Sequence, residues 1–130
     1  MNYRVEKDFE YKGFRCAVVA QSMGHRCGYV QIPKGHPFER PYQEVDEVVN
    51  VHGGLTYGRM SNSYPVETEK NSYWLGFDCA HYRDAIDVDI LQCLNPQLYD
   101  FYKKHCSEKG HVWTADEVAT EIQQLVNQIL

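Results

Sequence analysis

The stretch that begins at Thr114 constrains the fold more than any other part of the chain. Thr114-Ala115-Asp116-Glu117 is a capping box, in which the hydroxyl and the carboxylate each satisfy a backbone N–H that helix formation would orphan. Val118, Ile122, Leu125, Val126 and Ile129 then recur at helical spacing as one apolar stripe. A helix of this kind must bury its stripe, and the segments upstream read as the strands that receive it. The expected class is therefore α+β, a mainly antiparallel sheet with the C-terminal amphipathic helix packed on it. Residues 1–130 are expected to form a single domain.

Residues 14–20 are the first clear strand, with Phe14, Cys16, Val18 and Ala20 on one face and Arg15, Ala17 and Val19 on the other. Residues 21–25 make a turn around Gly24, and residues 27–32 return as the second arm of a hairpin. Pro33 and Pro37 end it, because proline cannot donate to a ladder. Residues 42–47 suggest a helical turn, 48–52 a strand by their β-branched content, and 58–72 a long polar connection that reads as a flap. Residues 73–79 and 86–91 read as further strands. Asn95-Pro96 opens a helix carrying Leu98, Phe101, Tyr102 and His105, with Gly110 as its stop.

Charge and cysteine content bound the function. A net charge of −5 argues against a protein that tracks a phosphate backbone, so no nucleic-acid partner is expected. No apolar run approaches the roughly 18 residues that a membrane span requires, and residues 1–8 lack the apolar region of a secretory signal. The five cysteines are irregularly spaced with no C-x-x-C, which fits reduced thiols in a cytoplasm. The sequence leaves homo-oligomerisation open.

Chemistry concentrates in two short blocks, residues 51–57 (VHGGLTY) and 74–81 (WLGFDCAH). If residues 48–52 are extended, Asn50 and His52 share a face; in the later strand Trp74, Gly76 and Asp78 share one. Asn50, His52, Trp74 and Asp78 would then line one polar side. Gly76 would leave a depression between Trp74 and Asp78, Gly53-Gly54 would expose amides as an anion nest, and Thr56 would add a hydroxyl. Cys79 falls on the apolar face with Leu75 and Phe77, which makes it a core residue rather than a nucleophile. His81 sits where the strand ends, so its direction is open, and Arg83 with Asp84 reads as a surface pair. His52, Asp78, His81 and Asp84 are metal-ligand types, but no H-x-x-x-H or H-x-H spacing fixes a geometry, so no metal is assigned and no cofactor is named. Phosphate-loop, dinucleotide and G-x-S-x-G patterns are absent.

The order of the blocks YKGFRC (residues 11–16), CGYVQIPKGHP (27–37), VHGGLTY (51–57) and GFDCAH (76–81) resembles a family of small, mostly uncharacterised bacteriophage and prophage proteins. Trp113-Thr114-x-Asp116-Glu117-Val118 is similar to that family as well. Two places depart from it: Tyr82-Arg83 stands before Asp84 where the family has a small residue and glycine, and residues 94–107 look unlike it. The resemblance implies a phage-encoded cytoplasmic protein and carries no activity with it.

Three functions are compatible with these features. The first is an accessory, possibly anti-defence protein that sequesters a small nucleotide-like ligand. His52, Thr56, Asp78 and His81 would make its polar contacts, Gly53 and Gly54 its amide contacts, and Tyr57 or Trp74 its stacking contacts. The second is a hydrolase or phosphodiesterase with His52 as acid or base, Asp78 orienting it and His81 as the partner acid or as a metal ligand. The third is an inhibitor that covers a host enzyme through an exposed surface.

Overall fold

Strand β1 (Tyr3–Tyr11) turns at Lys12-Gly13, both with positive φ, into β2 (Phe14–Gln21), and β2 turns at residues 22–25 into β3 (Arg26–Ile32). The chain then leaves the sheet through α1 (Tyr42–Asp46) and returns as β4 (Tyr57–Ser61) and β5 (Ser72–Asp78). In this computed structural model, which describes residues 2–106 and 109–130, the sheet order is β1-β2-β3-β5-β4 with antiparallel pairing throughout. A two-residue strand β6 (Asp84–Ala85), helices α2 (Val88–Leu94) and α3 (Pro96–His105), a second short strand β7 (His111–Val112) and helix α4 (Ala115–Ile129) follow. Strands β6 and β7 pair in parallel, apart from the main sheet. Ser107, which ends the segment that departs from the family resemblance, lies outside the described residues.

Helix α4 begins as its sequence dictates. The Glu117 N–H donates to Thr114 Oγ1 (3.2 Å), and the Thr114 N–H donates to Glu117 Oε1 (3.0 Å). All five stripe residues are buried against Phe14, Cys16 and Val18 of β2, Val30 and Ile32 of β3, and Leu75 and Phe77 of β5. Burial of each such side chain is worth roughly 1.5–3 kcal/mol, so the stripe holds the helix in place. Gly28 allows the close approach, because a Cβ there would lie 2.8 Å from Ile122 Cγ1 and 2.7 Å from the Phe77 ring. The α+β class with an antiparallel sheet and a packed C-terminal helix is what forms.

The opposite face of the sheet is also buried. Ala17, Val19, Cys27, Tyr29 and Trp74 form a second core, covered by Val66 and packed against Tyr3, Tyr57 and Tyr64. The connection expected at residues 58–72 thus divides. Its start is the edge strand β4, and the remainder folds down as the cover of this second core. Tyr64 fixes the cover in position, its hydroxyl taking a hydrogen bond from Gln21 Nε2 (2.6 Å) and lying 2.7 Å from the Tyr29 hydroxyl.

Two further expectations are corrected, and one strand appears that the sequence did not suggest. Residues 48–52 are not a strand: Asn50 N donates to Gln128 Oε1 (2.7 Å), Gln128 Nε2 donates to Asn50 O (2.8 Å), and His52 N donates to Glu121 Oε2 (2.7 Å). Side chains of α4 therefore take the role that a partner strand would have. Residues 86–91 are no strand either, since Asp87 caps α2 by accepting from Asp89 N (3.0 Å). Strand β1 was not foreseen, because its charged sequence hides a half-buried edge strand. It bulges between Val5 and Lys7, and this sends Glu6 to Arg26. Among the described residues, no helix is long and apolar enough to cross a membrane.

Candidate functional site

The blocks around His52 and His81 meet at the end of the sheet where β5 runs out. Asp84 is the centre of the meeting. Its side chain is only 4 % exposed, and its carboxylate accepts three bonds. His52 Nε2 lies 2.7 Å from Oδ2, the His81 N–H donates to the same oxygen (3.0 Å), and Trp113 Nε1 donates to Oδ1 (3.1 Å). Burial alone would raise the Asp84 carboxyl, but the bonds from His52, His81 and Trp113 outweigh it and hold the group below its ordinary 3.8. The Arg83–Asp84 surface pair expected from sequence is absent. Asp84 turns inward to His52, while the Arg83 guanidinium lies over the exposed Tyr82 ring at 5.5 Å.

His52 is held on two sides. Its ring lies against Trp113 at 4.2 Å between centroids and 34° between planes, and meets the His81 ring edge-on at 5.8 Å. The bond to Asp84 occupies Nε2, which leaves Nδ1 as the nitrogen able to face a ligand. Gly53 completes the fit: its φ is +70°, and a Cβ on it would fall within 2.2 Å of the His81 ring. Any other residue there would push His81 aside.

His81 has a carboxylate of its own. Its Nε2 lies 3.0 Å from Asp78 Oδ1, off the direction a hydrogen bond needs, so this buried nitrogen has no hydrogen-bond partner among the described residues. His25, in the β2–β3 turn, feels the same pair. Burial lowers its pKa below 6.5, Asp78 opposes that shift and His81 adds to it. His111 Nε2 lies 2.7 Å from Glu117 Oε2 at the start of α4. Two imidazole–carboxylate couples, His52–Asp84 and His81–Asp78, thus stand side by side.

The remaining residues expected at a shared site are placed elsewhere. Asp78 does not orient His52; Asp84 does. Trp74 is 0 % exposed in the second core, where it offers no stacking surface, and its Nε1 has no hydrogen-bond partner among the described residues. Tyr57 packs edge-on to Tyr29 on that same opposite face. The depression expected at Gly76 is filled by the Tyr29 ring, 2.5 Å from where a Cβ would stand. The Gly54 amide of the expected anion nest is spent on Val51 O (2.9 Å), and the Asp46 carboxylate lies beside Gly54, accepting from Leu55 N (2.7 Å). Thr56 is exposed, with its amide bonded to Gly76 O (2.9 Å). Cys79 is buried in the first core, where desolvation pushes its thiol far up and keeps it protonated.

Two contributors were invisible to pattern reading. Trp113 precedes the capping box, in the position from which an apolar residue staples a helix start, and that was the one available signal. Arg26 falls between the turn and the strand expected from sequence and drew no reading, yet it is 9 % exposed and holds the site from below. Its guanidinium donates to Glu6 Oε1 (2.5 Å), Asp87 Oδ2 (2.9 Å) and Trp113 O (3.0 Å), tying β1, α2 and the start of α4 together. Among the described residues no group of three or more His, Cys, Asp or Glu side chains is placed to hold a metal ion.

Two hollows lie away from these histidines. One of about 940 Å³ is lined by Tyr3, Arg4, Pro65, Val66 and Leu94, and one of about 560 Å³ by Tyr42, Gly58, Met60 and Tyr73. Neither is lined by a histidine; the candidate site is taken as the contact group of His52, Asp84 and Trp113 with Gly53, Asp78 and His81. Comparison of the chain with protein-family models, with curated proteins and with solved structures finds no match.

Proposed function

We propose that the chain binds a small, phosphate-bearing, nucleotide-like molecule at the surface formed by His52, Gly53 and His81. The observation that supports this reading is the fixed His52 ring. Asp84 and Trp113 orient it with Nδ1 available, on the edge of a turn that also exposes the Tyr82 ring and the Arg83 guanidinium. An imidazole and a guanidinium suit phosphate oxygens, and an exposed aromatic ring suits a base. Tyr82 and Arg83 replace Tyr57 and Trp74 as the partners of His52, since the latter two face the other side of the sheet. The phage resemblance supports an accessory role in a host cytoplasm, with capture of a host nucleotide signal as the form that suits a protein of this size.

Hydrolysis is the second reading, and the two adjacent imidazole–carboxylate couples favour it. A histidine whose Nε2 is held by a buried carboxylate is a competent general base at Nδ1, because the carboxylate stabilises the imidazolium that forms. Calorimetric titration with mono-, di- and cyclic nucleotides tests the binding, followed by heat denaturation and mass spectrometry of what is released. Capture returns the ligand intact, with His52→Ala weakening binding at least about tenfold, as expected for one lost charged contact. Turnover returns a product whose formation stops in His52→Ala. If no nucleotide binds the unaltered protein, both readings fail.

A further inference from the structure

Strand β4 ends the sheet on one side, and its outer edge is open. Ladder geometry tells which groups stand on that edge. The Thr56 N–H donates to Gly76 O (2.9 Å) and the Cys79 N–H donates to Arg26 O (2.9 Å). In β5, therefore, Gly76, Trp74 and Ser72 turn their main-chain groups to β4, while Phe77, Leu75 and Tyr73 turn theirs to β3. Tyr57, Arg59 and Ser61 are in register with Gly76, Trp74 and Ser72, so β4 spends their amides and carbonyls on β5. Gly58 and Met60 point the other way. Their N–H and C=O groups have no hydrogen-bond partner among the described residues.

The other edge of the sheet is guarded. Strand β1 carries Glu6, Lys7, Asp8 and Glu10 and bulges between Val5 and Lys7, features that keep an edge from pairing. Strand β4 runs without a register shift from Tyr57 to Ser61 and has Arg59 as its single charge. Gly58 and Met60 stand on the face of Leu75 and Tyr73, where they border the hollow of about 560 Å³ shared with Tyr42. Met60 is 54 % exposed. The charges lining that hollow are already engaged, Arg40 lying 3.7 Å from Glu44 and Glu39 accepting from Gly35 N (3.2 Å). Arg59 stands on the opposite face, exposed, with no ion-pair partner among the described residues.

We infer that the outer edge of β4 takes an extended peptide of a partner protein as an added antiparallel strand, with an acidic residue opposite Arg59 and an apolar residue on either side of it. The apolar residues lie opposite Gly58 and Met60, exchange main-chain hydrogen bonds with them, and turn their side chains to the hollow between Tyr42 and Tyr73. The acidic residue falls at a non-hydrogen-bonded position, about 4.5 Å from Arg59 between Cα atoms, where carboxylate and guanidinium share a face. A second copy of the chain suits the edge less well. Tyr57–Ser61 contains no carboxylate, so the β4 of a copy brings Arg59 no counter-ion. The surface is separate from the His52 site and independent of any ligand there.

Fluorescence anisotropy of a labelled, end-capped peptide with a central isoleucine–glutamate–isoleucine, titrated with the full chain from about 1 to about 500 μM, tests this. The glutamate peptide should bind, and its lysine counterpart should bind about tenfold more weakly. In Arg59→Glu that order should reverse, with circular dichroism checking that the exposed substitution leaves the fold intact. Methylating both isoleucine nitrogens, which face β4, should abolish binding. Methylating the glutamate nitrogen, which faces away, should leave it within about threefold. Amide exchange at Gly58 and Met60 should slow when the peptide is bound. Failure of the glutamate peptide to bind overturns the inference, as does binding that ignores the isoleucine methyl groups or the charge at Arg59. Protection of Gly58 and Met60 without peptide, in a chain that sediments as a dimer, gives the edge to a second copy and overturns it equally.

Discussion

Replacing Asp84 by asparagine preserves the shape of the side chain while removing its charge and one acceptor oxygen. In the native protein three donors converge on this carboxylate, with His52 Nε2 and His81 N on Oδ2 and Trp113 Nε1 on Oδ1. An amide cannot serve all three. If its NH₂ takes the Oδ2 position it faces the His81 N–H, and if it is flipped it faces the Trp113 N–H. Either way a donor is left without an acceptor in a site that is 4 % exposed, at a cost of about 1–3 kcal/mol, and the charge-assisted bond to His52 is weakened as well. The expected loss is about 2–4 kcal/mol, which lowers the urea midpoint at pH 7 by about 1–2 M for a slope near 2 kcal/mol/M. The pH dependence is an internal check. Because the folded carboxyl lies below its ordinary 3.8, its contribution is complete above that pH and is lost as the pH falls through the folded value. The gap between the two proteins should therefore narrow on acidification below about pH 4. Nitrogen-15 spectra should also show the His52 tautomer change when Nε2 meets an amide N–H. A midpoint within about 0.3 M of the unaltered protein, or a gap that stays constant down to acid pH, would refute the idea that this carboxylate holds the site together.

Arg26→Met leaves Asp87 without its cation and Glu6 with the half-exposed Arg4 alone, and should cost about 2–4 kcal/mol in denaturant unfolding; a change under about 1 kcal/mol refutes the buried network. Ellman titration of the native protein should find two fast thiols, Cys93 and Cys106. Cys16, Cys27 and Cys79 are buried, with the first pushed up to about 12 and the second to about 11, and should react only after denaturation. His25 should make the fold lose stability as the pH falls below about 6.5. Burial depresses its folded value, so the unfolded chain takes up the proton first. His25→Gln should flatten that limb of a plot of melting temperature against pH, and an unchanged limb would assign it to another group.

Much of the fold was legible because its signals are local. The capping box and five-residue stripe place α4, Asn95-Pro96 places the start of α3, and alternation places the β2–β3 hairpin and the inward face of β5. Each depends on residues within a few positions of one another. Alternation failed where both sheet faces are buried. It correctly put Trp74 opposite Phe77, but could not tell a ligand-facing side from a second core roofed by Tyr64 and Val66. It failed again at residues 48–52, whose β-branched content reads as strand although their amides are satisfied by Gln128 and Glu121, more than sixty positions away.

The sequence by itself determined that the VHGGLTY and GFDCAH blocks hold the polar groups hardest to bury unpaired, and that Cys79 belongs to the core. Only the tertiary structure decided which group pairs with which. That His52 takes Asp84 rather than Asp78 or a backbone group follows from the tight turn at residues 81–84, which swings Asp84 inward under Trp113. That pairing depends on where α4 sits, because Trp113 just ahead of the helix and Glu121 within it both reach the site. Spacing along the chain sets local conformation, whereas the partner of a buried charge is set by whichever donors the packed elements bring within about 3 Å.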